Sequence, residues 1–100
     1  MIDEVIIHLV VHGRVQGVGY RAFVEREARS RDLRGWVRNC GDGTVEALLM
    51  GDAPVVEDMI AACRRGPSGA RVDAIHRSAG HASALKECMA GQAFSVLPTI

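Results

Sequence analysis

An α+β fold with two helices on one face of a four- to five-stranded antiparallel sheet is predicted by three observations in the 100-residue sequence. β-branched residues alternate at period two near the N-terminus, and two later stretches carry apolar residues at helical spacing. The extended and helical runs succeed one another as strand, helix, strand, strand, helix, strand. One domain over residues 1–100 is expected, because two hydrophobic cores do not fit in this length. With 48% apolar and 24% charged residues, the chain has enough apolar surface to offset its ordering entropy.

Val5 to His12 reads VIIHLVVH, a first strand with Val5, Ile7, Leu9 and Val11 on one face. The glycine-punctuated stretch Gly13–Gly19 is a loop opening into a helix from Tyr20 to about Leu33. Tyr20, Phe23, Val24 and Ala28 form the apolar side of that helix; Glu25, Arg26, Arg29 and Arg31 serve the solvent side. Gly35 marks where the chain leaves it. Trp36 to Cys40 and Thr44 to Met50 are extended runs around Gly41-Asp42-Gly43, a loop of hairpin length. Asp52 is placed to cap a second helix, with Pro54 in its first turn. Val56, Met59, Ile60 and Cys63 form its stripe, and Gly66-Pro67 ends it. Arg71 to Arg77 reads as a fourth strand and Ala93 to Leu97 as a last one, with Phe94 and Val96 inward, while Ser78 to Gln92 carries no clear pattern. This βαββαβ order is the split βαβ arrangement of the ferredoxin-like sandwich.

Twelve basic and twelve acidic side chains leave a net charge of zero, so no overall field draws the chain to nucleic acid or an anionic membrane. Cys40, Cys63 and Cys88 are odd in number and widely spaced, which predicts free thiols rather than a disulfide framework or a zinc knuckle. The acidic start at Asp3 and Glu4 does not resemble a signal peptide, and the apolar run Val5–Val11 is too short to span a bilayer. The cytoplasm is the expected compartment.

The strand-to-helix loop is the first candidate for chemistry. Helix N-termini present unpaired amides and a partial positive charge, and three glycines in seven residues let successive N–H groups curl into an anion-binding nest. Arg21 adds a planar charged fork suited to a phosphoryl group. On glycine spacing alone, a tight turn beside a solvated arginine is the stronger reading. The P-loop pattern fails because no Lys-Ser or Lys-Thr pair follows, and the dinucleotide fingerprint fails because Gly17-Val18-Gly19 continues as Tyr20-Arg21-Ala22.

The ordered string Gly13-Arg14-Val15-Gln16-Gly17-Val18-Gly19-Tyr20-Arg21, then Gly35-Trp36-Val37-Arg38-Asn39 and Gly43-Thr44-Val45-Glu46, closely resembles the acylphosphatase family. The resemblance covers about the first half of the chain, and the remaining element order is compatible with that family's ferredoxin-like fold. It implies metal-independent hydrolysis of acyl phosphates to a carboxylate and inorganic phosphate, without a cofactor. It also implies that Arg21 binds phosphate and Asn39 positions water, with Arg14, Val15, Gln16, Gly17, Val18 and Gly19 forming the phosphate-binding loop. The partners expected are a small acyl phosphate, with inorganic phosphate or similar anions as product or inhibitor; no nucleic acid or membrane partner is expected, and the default state is a monomer.

Elementary chemistry agrees with these roles. An acyl phosphate already has a good leaving group, so holding the phosphoryl oxygens and placing a water in line is most of the work. Asn39 cannot take up a proton at neutral pH, but its carbonyl accepts a hydrogen bond from water and its amide donates to a phosphoryl oxygen. Period two puts Val37 and Asn39 on one strand face and Trp36, Arg38 and Cys40 on the other, so Asn39 is expected on the helix side near the loop. Cys40 stands where many relatives carry a hydroxyl and offers only a weak S–H donor. The chain ends Leu97-Pro98-Thr99-Ile100 rather than in a basic and aromatic pair, which leaves a C-terminal contact to the site or core in question.

Other residues have plainer readings. His8, His12, His76 and His81 lack metal-ligand spacing, so no metal is expected, and His8 and His12 belong on a solvated strand face. Glu25, Glu27 and Asp32 interleave with Arg26, Arg29, Arg31 and Arg34 as a salt-bridged helix surface. Cys63 belongs to the core stripe of the second helix. An RNA-recognition module needs exposed aromatics on central strands, and only Trp36 is available. The better rival is a binding or carrier domain that keeps the anion site without rapid turnover, for example acting on carbamoyl phosphate as a stage of a larger assembly.

Overall fold

The computed structural model describes residues 3–87 and 93–100. In chain order the elements are β1 (Glu4–Arg14), α1 (Tyr20–Ser30), β2 (Arg34–Asn39), β3 (Val45–Asp52), α2 (Ala53–Arg65), β4 (Arg71–Ala79), a 3-10 segment (Ala82–Glu87) and β5 (Phe94–Val96). The sheet order is β4-β1-β3-β2-β5. β1, the longest apolar strand, lies inside the sheet, pairing Leu9 with Ala47 of β3 and Val11 with Ile75 of β4. Every neighbouring pair among the first four strands is antiparallel, as expected. β5 departs from that expectation by pairing parallel to β2, with Trp36 opposite Ser95. The reason is directional: β4 runs against β1 and β2 runs with it, so β4 ends where β2 begins, and a strand starting there on the far edge runs with β2.

The helices pack on one face over a core that includes Leu9, Val11, Val24, Val37, Leu49 and Met59. Tyr20 hydroxyl donates to Cys63 carbonyl at 2.7 Å and thereby joins α1 to α2. Burial drives both groups away from ionisation, raising the tyrosine pKa well above its usual value and pushing the Cys63 thiol up to about 12. Cys63 is therefore a core residue, fully shielded from solvent. Cys88 lies outside the described residues.

α1 stops at Ser30, earlier than its apolar pattern suggests. Leu33 amide turns back to Ala28 carbonyl at 3.0 Å, and Asp32 takes a left-handed φ of 55°. Leu33 is still buried, so its contribution to the apolar periodicity is real although its backbone is not helical. Gly35 is not a break but part of β2, with φ +139°, where a Cβ would stand 1.8 Å from Leu48 carbonyl oxygen. Only glycine allows β2 and β3 to approach this closely. Asp52 occupies the cap position of α2 without a capping side-chain bond, and Gly66 closes the helix by donating to Ala62 carbonyl at 3.0 Å.

The other sheet face is partly covered as well. Trp36, Leu48 and Leu97 form a second apolar cluster with Ile6, Ala84 and Leu85. Trp36 Nε1 donates to Ala84 carbonyl at 2.8 Å, and the Arg38 guanidinium lies 4.6 Å from the Trp36 ring centroid. The 3-10 segment that provides Ala84 falls within the patternless stretch Ser78–Gln92, and residues 88–92 are outside the described residues. Trp36 is 2% exposed, which removes it as a base-stacking platform.

Candidate active site

The glycine loop, the start of α1 and the end of β2 converge on an open cleft of about 290 Å³. Val15, Gly17 and Gly19 line it from the loop, and Asn39 and Val96 line it from β2 and β5. Tyr20, Arg21, Ala22 and Glu25 complete it from α1.

Local conformation explains how the loop enters the helix. Gly17 and Gly19 have φ of 74° and 80°, in the left-handed region where L side chains are disfavoured by roughly 1–2 kcal/mol. A Cβ at either position would meet nothing within 4 Å, so backbone conformation rather than space selects glycine there. Gly19 caps α1 without a side chain, and its carbonyl accepts the first helical bond from Phe23 amide at 3.0 Å. No acidic residue occupies the first turn. The leading amides and the positive end of the helix dipole are thus left for an anion.

Not every residue of the loop faces the cleft. Val15 is buried in its wall, but Arg14, Gln16 and Val18 do not line it. Gln16 turns the other way, its Nε2 donating to Cys40 carbonyl and Thr44 carbonyl at 2.8 Å each. This single side chain straps the loop to the β2–β3 hairpin, where Cys40 amide also donates to Thr44 carbonyl at 2.9 Å. Cys40 therefore takes part through its backbone carbonyl. The hairpin is further fixed by Thr44 hydroxyl and amide donating to Asp42 at 2.6 and 3.0 Å, bonds that hold the Asp42 carboxyl below its ordinary pKa.

Arg21 and Asn39 both line this cleft. Arg21 makes no hydrogen bond or ion pair with another described residue. Asn39 Oδ1 is buried and has no hydrogen-bond partner among the described residues. An orphaned buried carbonyl is costly, by about 1–3 kcal/mol, and such atoms cluster where a reacting molecule supplies the partner. Val37, two residues earlier, belongs to the core between sheet and helices, so the strand period does place Asn39 on the helix side.

Tyr20 and Ala22 line the cleft without having been expected there, and further contributors were also not apparent from sequence. Val96 enters from the short β5, and nothing in its local pattern points to a cleft. Glu25, assigned to the solvent side, lines the cleft and is held by Arg29 at 3.0 Å; its position four residues after Arg21 was the available signal. The tail is also engaged: Leu97 is buried and donates its amide to Val37 carbonyl at 2.9 Å, and Ile100 amide donates to Asn39 carbonyl at 3.2 Å. Backbone bonds made by any residue type continue the ladder beside Asn39, so the absent basic and aromatic pair does not remove the contact.

His8 and His12 lie on the sheet face away from the helices, as expected, but His8 is not simply solvated. Its Nε2 stands 2.6 Å from Glu46 Oε2, whose other oxygen accepts from Arg38 Nε at 2.7 Å. His12 forms an edge-to-face contact with His76 at 4.9 Å between ring centroids. The helix charges do pair: Arg31 bridges Glu27 and Asp58 at 3.0 and 2.8 Å. Among the described residues no helix is long and apolar enough to cross a membrane.

The model of the family described as acylphosphatase matches residues 7–85. An acylphosphatase of Rhodopseudomonas palustris strain BisB18 is 53% identical over 98% of this chain and 99% of its own length. An acylphosphatase of Nitrobacter hamburgensis is 50% identical with the same coverage. The crystal structure of the Bacillus subtilis acylphosphatase superposes with a TM-score of 0.80 at 34% identity, over 93% of this chain and 98% of that one. With the sandwich fold and both motifs converging on one cleft, the chain belongs to the acylphosphatase family, enzymes that hydrolyse acyl phosphates.

Proposed function

We propose that this acylphosphatase hydrolyses its substrate at the cleft between the glycine loop, the start of α1 and Asn39, with Arg21 and the loop amides holding the phosphoryl group and Asn39 orienting water. The observation that carries this reading is that, among the described residues, the buried Oδ1 of Asn39 has no partner and shares its cleft with an unpaired Arg21. Water oxygen attacks phosphorus, the phosphorus–oxygen bond to the acyl group breaks, and the carboxylate departs with the bonding electrons. The water protons pass to the phosphate oxygens and solvent. Asn39 Oδ1 accepts a hydrogen bond from that water and so aims the oxygen lone pair. Arg21 and the α1 amides strengthen their bonds as negative charge redistributes over the phosphoryl oxygens. They supply the positive charge this chemistry needs, so the mechanism calls for no metal.

Of the loop, the amides at Gly17 and Gly19 belong to the cradle; Arg14 and Val18 serve its backbone course and Gln16 its attachment. Inorganic phosphate binds the same cradle as product. A cytoplasmic monomer that engages neither nucleic acid nor membrane is the state in which the activity is proposed.

The test is loss of benzoyl phosphate at neutral pH under excess chelator, for the parent, Arg21→Ala and Asn39→Ala. Rapid hydrolysis by the parent, with both variants folded and severely impaired, supports the roles. A chelator-sensitive parent overturns the metal-free mechanism. A folded parent that binds phosphate without turnover favours the rival anion-binding domain.

A further inference from the structure

Gln16 and Cys40 each stand one residue from a group assigned to the reaction. Gly17, after Gln16, lines the cleft from the loop, and Asn39, before Cys40, lines it from β2. The two segments are joined at that point by the Gln16 side chain, whose Nε2 donates to Cys40 carbonyl and to Thr44 carbonyl at 2.8 Å each. A side-chain amide nitrogen carries two hydrogens, and two acceptors match them.

The hairpin does not need these bonds to satisfy its own backbone. Cys40 carbonyl also accepts from Gly43 amide at 3.1 Å, and Thr44 carbonyl from Cys40 amide at 2.9 Å. Gln16 therefore directs its donors to carbonyls that the hairpin has already paired, using the second lone pair of each. What the bonds add is a fixed separation between loop and hairpin. The loop needs such a tether, because Gly17 and Gly19 hold left-handed φ values of 74° and 80° with open space where a Cβ would stand, and glycine leaves a backbone free to change course.

We infer that Gln16 is a positioning residue for the hydrolysis: through Cys40 carbonyl it sets the place of Asn39 against the phosphate cradle, and with it the line of the attacking water. This inference rests on the proposed roles of Asn39 and the loop amides. Gln16 does not itself line the cleft, so it acts through its neighbours in the chain. Displacing a reacting group by about 1 Å can cost about 10²-fold in rate, while Arg21 and the α1 amides still grip the phosphoryl group. The signature of the role is a fall in kcat with phosphate binding preserved.

The test measures kcat and KM for benzoyl phosphate, the competitive inhibition constant of inorganic phosphate, and urea unfolding. The proteins are the parent, Asn39→Ala, Gln16→Met and Gln16→Asn, and each Gln16 variant combined with Asn39→Ala. Gln16→Met keeps the length of the side chain without its donors; Gln16→Asn keeps the amide one methylene short of its acceptors. In each, kcat is expected to fall about 10- to 10²-fold, with KM and the phosphate constant within about twofold of the parent. In the Asn39→Ala background, where the water is no longer oriented, the same Gln16 substitutions should lower kcat by less than about twofold, because residues that act as a unit are not additive.

Parental kcat in a folded Gln16 variant, or a loss that multiplies with that of Asn39→Ala, overturns the positioning role while leaving the proposed function in place. A loss confined to KM and phosphate binding assigns Gln16 to the shape of the cradle and overturns the route through Asn39. Unfolding of both Gln16 variants makes the bonds a requirement of the fold and overturns it as well. A parent that does not hydrolyse benzoyl phosphate, or Asn39→Ala at the parent's rate, overturns the proposed function and this inference with it.

Discussion

Arg38 and Asn39 are neighbours on β2 that point to opposite faces of the sheet, and they sit in opposite electrostatic situations. On the face away from the helices, Arg38 bonds Glu46 and lies over Trp36, while Glu46 also meets His8. Every charge in that group has a partner. On the helix side, among the described residues, Asn39 Oδ1 is buried without a partner and Arg21 has no hydrogen bond or ion pair, beside a helix start that no side chain caps. A folded chain satisfies polar groups wherever structure alone is at stake; groups kept open against that tendency are the ones prepared for another molecule.

The contrast predicts a double dissociation. Arg21→Ala, the largest effect, should lower kcat/KM for benzoyl phosphate by about 10³-fold or more, and Asn39→Ala by about 10²–10³-fold, with circular dichroism unchanged in each. Full activity in either folded variant would remove that residue from the mechanism. Asn39→Ala should also unfold no more easily than the parent in urea, because the deleted Oδ1 has no partner among the described residues to lose. A loss above about 1 kcal/mol would show that Asn39 is satisfied in the resting protein after all.

Glu46→Gln should behave the other way, costing about 1–2 kcal/mol of stability by weakening two charge-assisted bonds while leaving benzoyl phosphate turnover intact. Burial works against the Glu46 carboxylate, but the bonds from His8 and Arg38 outweigh it and hold its pKa below the ordinary value. A depressed folded-state pKa stabilises above the unfolded value of about 4.3 and is lost as pH falls through the folded value. The stability gap between parent and Glu46→Gln should therefore close as pH falls from about 5 to below about 4, as equilibrium unfolding across that range would show. A gap that widens in acid would contradict the assignment.

Tyr20→Phe sharpens the comparison from inside the cleft wall. Tyr20 lines the cleft, yet its hydroxyl is committed to Cys63 carbonyl. Its removal should cost about 1 kcal/mol, lowering Tm by about 4–8 °C, with a change in kcat/KM far smaller than that of Arg21→Ala. A loss of activity comparable to Arg21→Ala would place the hydroxyl in the reaction.

Much of this was legible in the chain. Alternation in β1 and the stripe Val56, Met59, Ile60 and Cys63 in α2 identified their elements because burial on one face leaves a periodic mark. The two motifs pointed to Arg21 and Asn39 through their resemblance to the acylphosphatase family, and the strand period added that Asn39 belongs on the helix side. Less legible were contacts made by backbone. Gln16 bonds two carbonyls of the hairpin, Ile100 bonds the carbonyl of Asn39, and Ala84 offers its carbonyl to Trp36. Each carbonyl acceptor exists at every residue and so leaves no trace in residue type. The 3-10 segment gave no periodic signal because its burial depends on Trp36 and Leu48, far away in sequence.

The sequence by itself determined the sandwich and the glycine turn into α1, since these follow from periodicity and from glycine spacing, and its resemblance to the acylphosphatase family singled out Arg21 and Asn39 for the roles proposed above. Tertiary structure alone decided that β5 runs parallel to β2, that Gln16 faces the hairpin, and that Glu25 is held by Arg29 in the cleft rather than paired with Arg21. Those outcomes depend on which strand ends, carbonyls and side chains arrive at one place when the sheet closes, and local physics along the chain does not contain that information.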